Sequence, residues 1–280
     1  MIAIGKYNDL RISREADPGL YLTDGDGHEV LLPRRYVTDS MAPGQEIRVF
    51  VYTDGEDRPV ATTDTPYATV GEFAFLQVRD VNRTGAFLDW GVMKDLLVPY
   101  SEQKVRMAVG GIYPVYVYLD DVTKRPVASA RLERFLGNLP ADYRPGTRVS
   151  ALVISHGEIG YRVIVDNLHW GMIYDNELRR PLEIGQTVEA HVKYVRPDGK
   201  IDLSAGPAAV DRMGAACKRI LDALDRAPQH TLMLSDNSDP ADIRAALGCS
   251  KKDFKKAIGH LYKEGRILLG EDRIVRLSDK

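Results

Sequence analysis

Five lysines, Lys251, Lys252, Lys255, Lys256 and Lys263, crowd one stretch of the chain together with His260. Ser250 before them and Gly265 after them are helix start and stop signals, and Phe254, Ala257, Ile258, Leu261 and Tyr262 recur at helical spacing. A helix over 251–264 is therefore predicted, with its apolar side inward and its lysines outward. Ammonium groups hold phosphates without reading sequence. The helix offers no Arg, Asn or Gln for bidentate contact with a base edge, so general nucleic-acid or partner contact is expected over operator recognition. A solvated helix that packs its module on a neighbour is the bland alternative. Catalytic chemistry has little support. Asp24 with Asp26 and Asp120 with Asp121 are carboxylate pairs, but both fall in predicted turns, where Asp is favoured for backbone reasons. Cys217 and Cys249 form no CxxC pair and read as two buried thiols in helices. Neither a phosphate loop, nor a nucleophile elbow, nor metal-ligand spacing is found, so no enzyme activity, cofactor or metal is expected.

The elements that precede this helix come in three copies. Pro43 to Tyr52, Val109 to Tyr118 and Ile184 to Tyr194 each carry a Gly followed by an apolar–polar alternation. Each continues through a polar turn into a short strand at Pro59–Thr62, Pro126–Ser129 and Lys200–Ser204. Gly44, Gly110 and Gly185 lie 66 and 75 residues apart, too far for a solenoid repeat and suited to a small all-β domain. In the middle copy Gly71–Val78, Ala86–Gly91 and Lys94–Tyr100 read as three more strands, with Asp80–Gly85 a turn and 101–109 a polar connection. Five strands with a connection between the third and fourth is the order of an OB-fold barrel, and Gly85 suits the sharp bend that closure needs.

Gly85-Ala86-Phe87 followed by Leu96-Leu97-Val98-Pro99-Tyr100-Ser101 resembles the S1 RNA-binding module. The matching stretches are Gly19–Leu22 with Val30–Pro33, and Gly160–Val165 with Gly171–Tyr174. S1 modules stack bases on aromatics of strands two and three, and basic side chains nearby hold the backbone. The resemblance places Phe87 and, in the first copy, Tyr21 at the strand-two aromatic, and Tyr174 at the strand-three position that is usually His. Pro33 and Pro99 replace that His, Thr84 and Ile159 replace the aromatic before the strand-two Gly, and Arg162 stands where the middle copy has Phe87. The expected RNA-binding set is Phe87, Tyr100, Arg83, Lys94, Lys104 and Arg106 in the second module and Arg162, His169, Tyr174, Lys193 and Lys200 in the third. Arg79, Arg179 and Arg180 lie near the same faces. The aromatics equally suit barrel filling or domain contacts, and Trp170 is read as packing.

After Pro207 the composition changes. Helices over 211–224, 240–247 and 251–264 and a hairpin at 266–277 describe a winged helix. The predicted organisation is mainly β: three tandem S1-like OB-fold barrels at 1–66, 67–139 and 140–206, followed by an α/β winged-helix domain at 207–280. Formal charge over these segments is −5, +1, −1 and +3. The first module thus looks unsuited to polyanions, while the second and fourth suit a phosphate chain. The N-terminal apolar run is too short for a signal peptide and no segment is long enough to span a membrane, so a cytoplasmic location with no membrane contact is expected. Short linkers near Pro66, Pro140 and Pro207 imply limited freedom between modules.

The order of three S1-like barrels and a winged helix resembles the bacterial conserved virulence factor B family. Leu31-Leu32-Pro33-Arg34-Arg35-Tyr36-Val37 and Leu261-Tyr262-Lys263-Glu264-Gly265-Arg266-Ile267 carry the same likeness. It implies RNA binding with an influence on gene expression. Single-stranded RNA is the expected partner, and no small-molecule ligand is expected. A duplex-DNA transcription regulator and a protein-interaction scaffold with degenerate barrels are the competing expectations.

Overall fold

The computed structural model describes residues 1–178, 180–205 and 209–277, with side chains from 213 onward in the last segment. The expected 206/207 boundary, Pro207 and Arg179 lie outside the described residues. In the first module β1 (Lys6–Ala16), β2 (Gly19–Thr23), β3 (Glu29–Pro33), β4 (Glu46–Thr53) and β5 (Pro59–Thr62) close into a barrel in the order β1-β2-β3-β5-β4. The second contains β6 (Phe73–Val81), β7 (Gly85–Leu88), β8 (Leu96–Pro99), β9 (Ile112–Leu119) and β10 (Pro126–Ser129). There the ladder runs β10-β9-β6-β7-β8, and β8 lies beside β10 without pairing to it. The third repeats the order of the first with β11 (Arg148–His156), β12 (Gly160–Val165), β13 (His169–Tyr174), β14 (Thr187–Val195) and β15 (Ile201–Ser204).

The recurring glycines explain the closure. Each long first strand changes register at a bulge, at Ile12/Arg14, Val78/Asp80 and Val153/Ser155, where it bends to serve two partners. Gly44, Gly110 and Gly185 sit at φ +92°, +82° and +89° and donate their N–H groups to the carbonyls of Ile12, Val78 and Val153. A side chain would be strained in that left-handed turn. Asp80 and Val81, expected in a turn, belong instead to β6, because the bulge absorbs the break in alternation and leaves only 82–84 to turn the chain. Strands β7 and β8 are also shorter than expected, β7 ending at Leu88 and β8 starting at Leu96.

Inward positions fill each barrel with aliphatic side chains: Leu10, Ile12, Leu22, Leu32 and Val51 in the first, Val149, Val163, Ile173 and Leu203 in the third. The second core does not stop at its own barrel. Phe50 and Tyr52 of β4 pack into it, and the Phe50 ring meets the Trp90 indole edge-on at 5.3 Å. Modules one and two therefore share one apolar core. Modules two and three meet through a separate cluster that includes Phe73, Leu132, Leu136 and Ile164, with Phe135 and Trp170 at its margin.

The C-terminal module consists of α1 (Ala209–Arg226), a short β16 (Thr231–Leu232), α2 (Pro240–Leu247), α3 (Lys251–Lys263), β17 (Ile267–Leu269) and β18 (Ile274–Arg276). The Asp239 carboxylate accepts from the Ala241 N–H and the Ser250 hydroxyl from the Asp253 N–H, so both expected caps form. Gly248, at φ +61°, ends α2. Phe254, Ala257 and Leu261 of α3 are buried with Ile220 and Leu224 of α1, Ile243 of α2 and Ile267 and Ile274 of the wing.

Candidate nucleic-acid interface

Strand register defines a common outer face on the three barrels. Gly19 pairs with Pro33, Gly85 with Pro99 and Gly160 with Tyr174. A Cβ at these glycines would lie 2.0, 2.2 and 2.3 Å from the carbonyl oxygens of Leu32, Val98 and Ile173. Only Gly permits strands two and three to approach so closely. Two residues on, Tyr21, Phe87 and Arg162 occupy one equivalent position, opposite Leu31, Leu97 and Met172. All three are half-buried and point away from the barrel cores, whose inward neighbours Leu20 and Leu22, Ala86 and Leu88, and Tyr161 and Val163 are buried.

Around Phe87 the second module is closely wired. Arg79 bridges Asp89 and Asp95, each at 2.9 Å. Lys94 does not stand free beside Phe87. It donates to the Asp54 carbonyl and lies 3.7 Å from the Asp57 carboxylate, both in the β4–β5 hairpin of the first module. Lys104 pairs with Glu133 at 2.9 Å. At the other end of β8 the Tyr100 hydroxyl donates to the Asn82 carbonyl, and the Arg106 guanidinium stacks 3.9 Å from the Tyr100 ring centre. Arg83 and Arg106 are exposed and have no carboxylate partner among the described residues. Tyr100, Arg83 and Arg106 thus form a small cationic and aromatic patch.

In the third module Arg162 lies 3.6 Å over the Trp170 ring, which itself borders the contact with module two. The Tyr174 hydroxyl accepts from Arg196 and faces Asp202, while Arg196 and Asp202 pair at 2.7 Å. Arg196 stands outside the set expected from the sequence. Its signal is the parallel β13–β15 pairing of an OB fold, which sets Met172 opposite Asp202 and so brings Tyr174 to the same edge. Lys193 pairs with Glu177 and Lys200 with Asp198. The expectation for His169 is corrected: it is 3% exposed and lies edge-on to the Tyr143 ring at 5.7 Å, so it cannot meet a nucleic acid. Burial pushes its imidazole below the usual pKa.

On α3, Lys252, Lys256 and Lys263 are exposed along one stripe with no carboxylate partner among the described residues. Lys255 lies 3.6 Å from Asp236, and Lys251 is half-buried. Cys217 is buried in α1 as expected, but Cys249 is only half-buried and lies in the turn between α2 and α3, because Gly248 ends one helix and Ser250 caps the next. Burial raises the pKa of both thiols, which does not suit nucleophilic work. Among the described residues no helix is long and apolar enough to cross a membrane.

A family model described as S1 domain matches residues 4–64 and again 70–131, and one described as CvfB-like winged helix domain matches 218–275. These are nucleic-acid-binding modules. The third barrel falls between the matched segments and repeats their register and glycine placement. The chain is 29% identical over 279 residues to the uncharacterized protein YitL of Bacillus subtilis, covering 94% of this chain and 90% of that one. It is 25% identical over 276 residues to conserved virulence factor B of Staphylococcus epidermidis, covering 92% of each. A crystal structure of a multidomain protein with nucleic acid binding domains from Streptococcus pneumoniae is 24% identical, covers 98% of both chains and superposes with a TM-score of 0.41. In module content, module order and relatives, this chain is similar along nearly its whole length to the conserved virulence factor B proteins.

Proposed function

We propose that the protein is a non-catalytic binder of single-stranded RNA that acts in the cytoplasm as a post-transcriptional regulator of gene expression. The observation that supports this is the repeated planar group at one register position, Tyr21, Phe87 and Arg162, on the outer face of each barrel. A ring or guanidinium plane accepts the face of any unpaired base, and such stacking contributes about 1–3 kcal/mol per base without reading sequence. The Tyr100, Arg83 and Arg106 patch adds phosphate contacts beside it. The strand passes over modules two and three, and the α3 lysines add a salt-sensitive grip. The acidic first module contributes little direct affinity. The name of the staphylococcal relatives fits a regulatory role of this kind.

The exposed stripe of Lys252, Lys256 and Lys263 favours one second reading, duplex DNA held at its phosphates. Affinity for labelled single-stranded RNA, single-stranded DNA and duplex DNA across a salt series separates the two. RNA preference that weakens on Phe87→Ala and Tyr174→Ala supports the proposal. Duplex preference that is lost on Lys252→Glu with Lys256→Glu replaces it.

A further inference from the structure

A cleft of about 260 Å³ opens between modules one and two. Phe87, Trp90 and Leu97 line it with Val127 of β10, together with Lys94, Arg125 and the Asp95 carboxylate, which Arg79 already neutralises at 2.9 Å. Thr53, at the end of β4, is its wall on the side of module one. The volume is below the ~300–1,000 Å³ of pockets that take drug-sized ligands, and it suits one base rather than a folded ligand. An apolar wall with a half-buried aromatic ring beside two cations is the chemistry of a nucleotide: a flat π-face joined to a phosphate.

Both cations already hold an anion. The Asp57 carboxylate pairs with Arg125 and lies 3.7 Å from Lys94. Asp57 sits at the tip of the β4–β5 hairpin with φ +66°. The equivalent hairpin positions carry Lys124 at φ +57° and Gly199 at φ +79°. A Cβ is disfavoured in that conformation, and the third module relieves it with Gly. The first module instead keeps a carboxylate there and aims it across the domain boundary. Arg125 and Asp57 are 46% and 38% exposed, so the pair is weakly held and open to displacement.

We propose that this cleft is a two-domain site for one nucleotide of single-stranded RNA, and that Asp57 occupies its phosphate position as a built-in competitor. The base rests on Phe87, and the phosphate takes Arg125 and Lys94 from Asp57. This inference rests on the single-stranded RNA reading above. In this arrangement the acidic first module suppresses weak, non-specific capture of polyanions by the second.

The test is Asp57→Asn in the full chain, since Asn tolerates the left-handed turn and removes only the charge. Binding of a labelled oligouridylate is measured against salt for the parent, Asp57→Asn, Arg125→Ala and the double variant, with melting temperatures as a folding control. The expected result is a three- to tenfold gain in affinity for Asp57→Asn, about half a decade to one decade. The salt slope should steepen by up to about 0.7, the contribution of the one phosphate that Arg125 and Lys94 hold together. The gain disappears when Arg125→Ala is present. Unchanged or reduced affinity in Asp57→Asn, with Phe87→Ala still weakening binding, overturns the competitor and leaves the RNA reading standing. No RNA binding by parent or variant overturns both.

Discussion

Replacing Gly85 by Ala adds one methyl group where β7 passes closest to β8. That methyl would sit 2.2 Å from the Val98 carbonyl oxygen and 3.0 Å from the Pro99 Cα. Both obstacles are backbone, so no side chain can swing aside, and the strands must separate by about 1 Å to restore ordinary contact. Gly85 lies outside the left-handed region, so the penalty is steric and not conformational. The separation strains the Gly85–Pro99 end of a ladder whose inward residues, Ala86, Leu88, Leu96 and Val98, are buried in the core shared with module one. One or two weakened hydrogen bonds at ~1 kcal/mol each plus loosened packing come to about 2–4 kcal/mol. In a unit of this size that lowers the melting temperature by roughly 5–15 °C. Thermal unfolding followed by circular dichroism reads the shift. Gly55→Ala is the control, because a Cβ there meets nothing within 4 Å. RNA affinity should fall along with stability, since Phe87 stands two residues away on the displaced strand. A Gly85→Ala protein that melts within about 1 °C of the parent would refute the close-approach account.

Three further outcomes are expected. Replacing Lys252, Lys256 and Lys263 together by Gln should reduce the salt slope for single-stranded RNA by about 2 and leave melting nearly unchanged; an unaltered slope would remove α3 from the interface. His169 is held neutral by burial, so below its ordinary pKa of 6.5 the unfolded chain takes up a proton that the folded chain refuses. Stability of the third module should therefore fall as pH drops below about 6.5, by at most ~1.4 kcal/mol per unit, and level off beneath the folded pKa; His169→Gln should flatten that slope, and parallel profiles would contradict it. Asp239→Ala removes the α2 cap and should cost about 1 kcal/mol in the winged helix, read by denaturant unfolding, with no effect expected if the Ala241 N–H is solvated instead.

Local patterns carry most of the fold. The Gly-led hairpins, the strand alternation and the Asp239 and Ser250 caps are short-range signals, and the structure places each where its chemistry requires. The bulges at Ile12/Arg14, Val78/Asp80 and Val153/Ser155 are hidden because one extra residue mimics the end of a strand. The site is legible only in part, since its character depends on contacts between modules. A sequence shows Lys94 as a cation next to an aromatic. It does not show that Asp54 and Asp57, some forty residues earlier, reach it across a shared core built on Phe50 and Trp90. In sequence His169 reads as an exposed polar group ahead of a Gly, yet it packs on Tyr143 from the chain segment before β11. Arg125 carries no local signal because its partner, Asp57, lies in another module, and Arg196 pairs locally with Asp202 but reaches the outer face only through Tyr174 on a separate strand.

The most direct measurement is photo-crosslinking of the full chain to single-stranded RNA carrying 4-thiouridine, with the crosslinked residues located by mass spectrometry. Crosslinks are expected at Phe87, Tyr100 and the Arg162–Trp170 pair, with α3 contributing few. Crosslinks confined to α3 and the β17–β18 wing, with none on the outer faces of modules two and three, would mean that the barrels do not hold the strand.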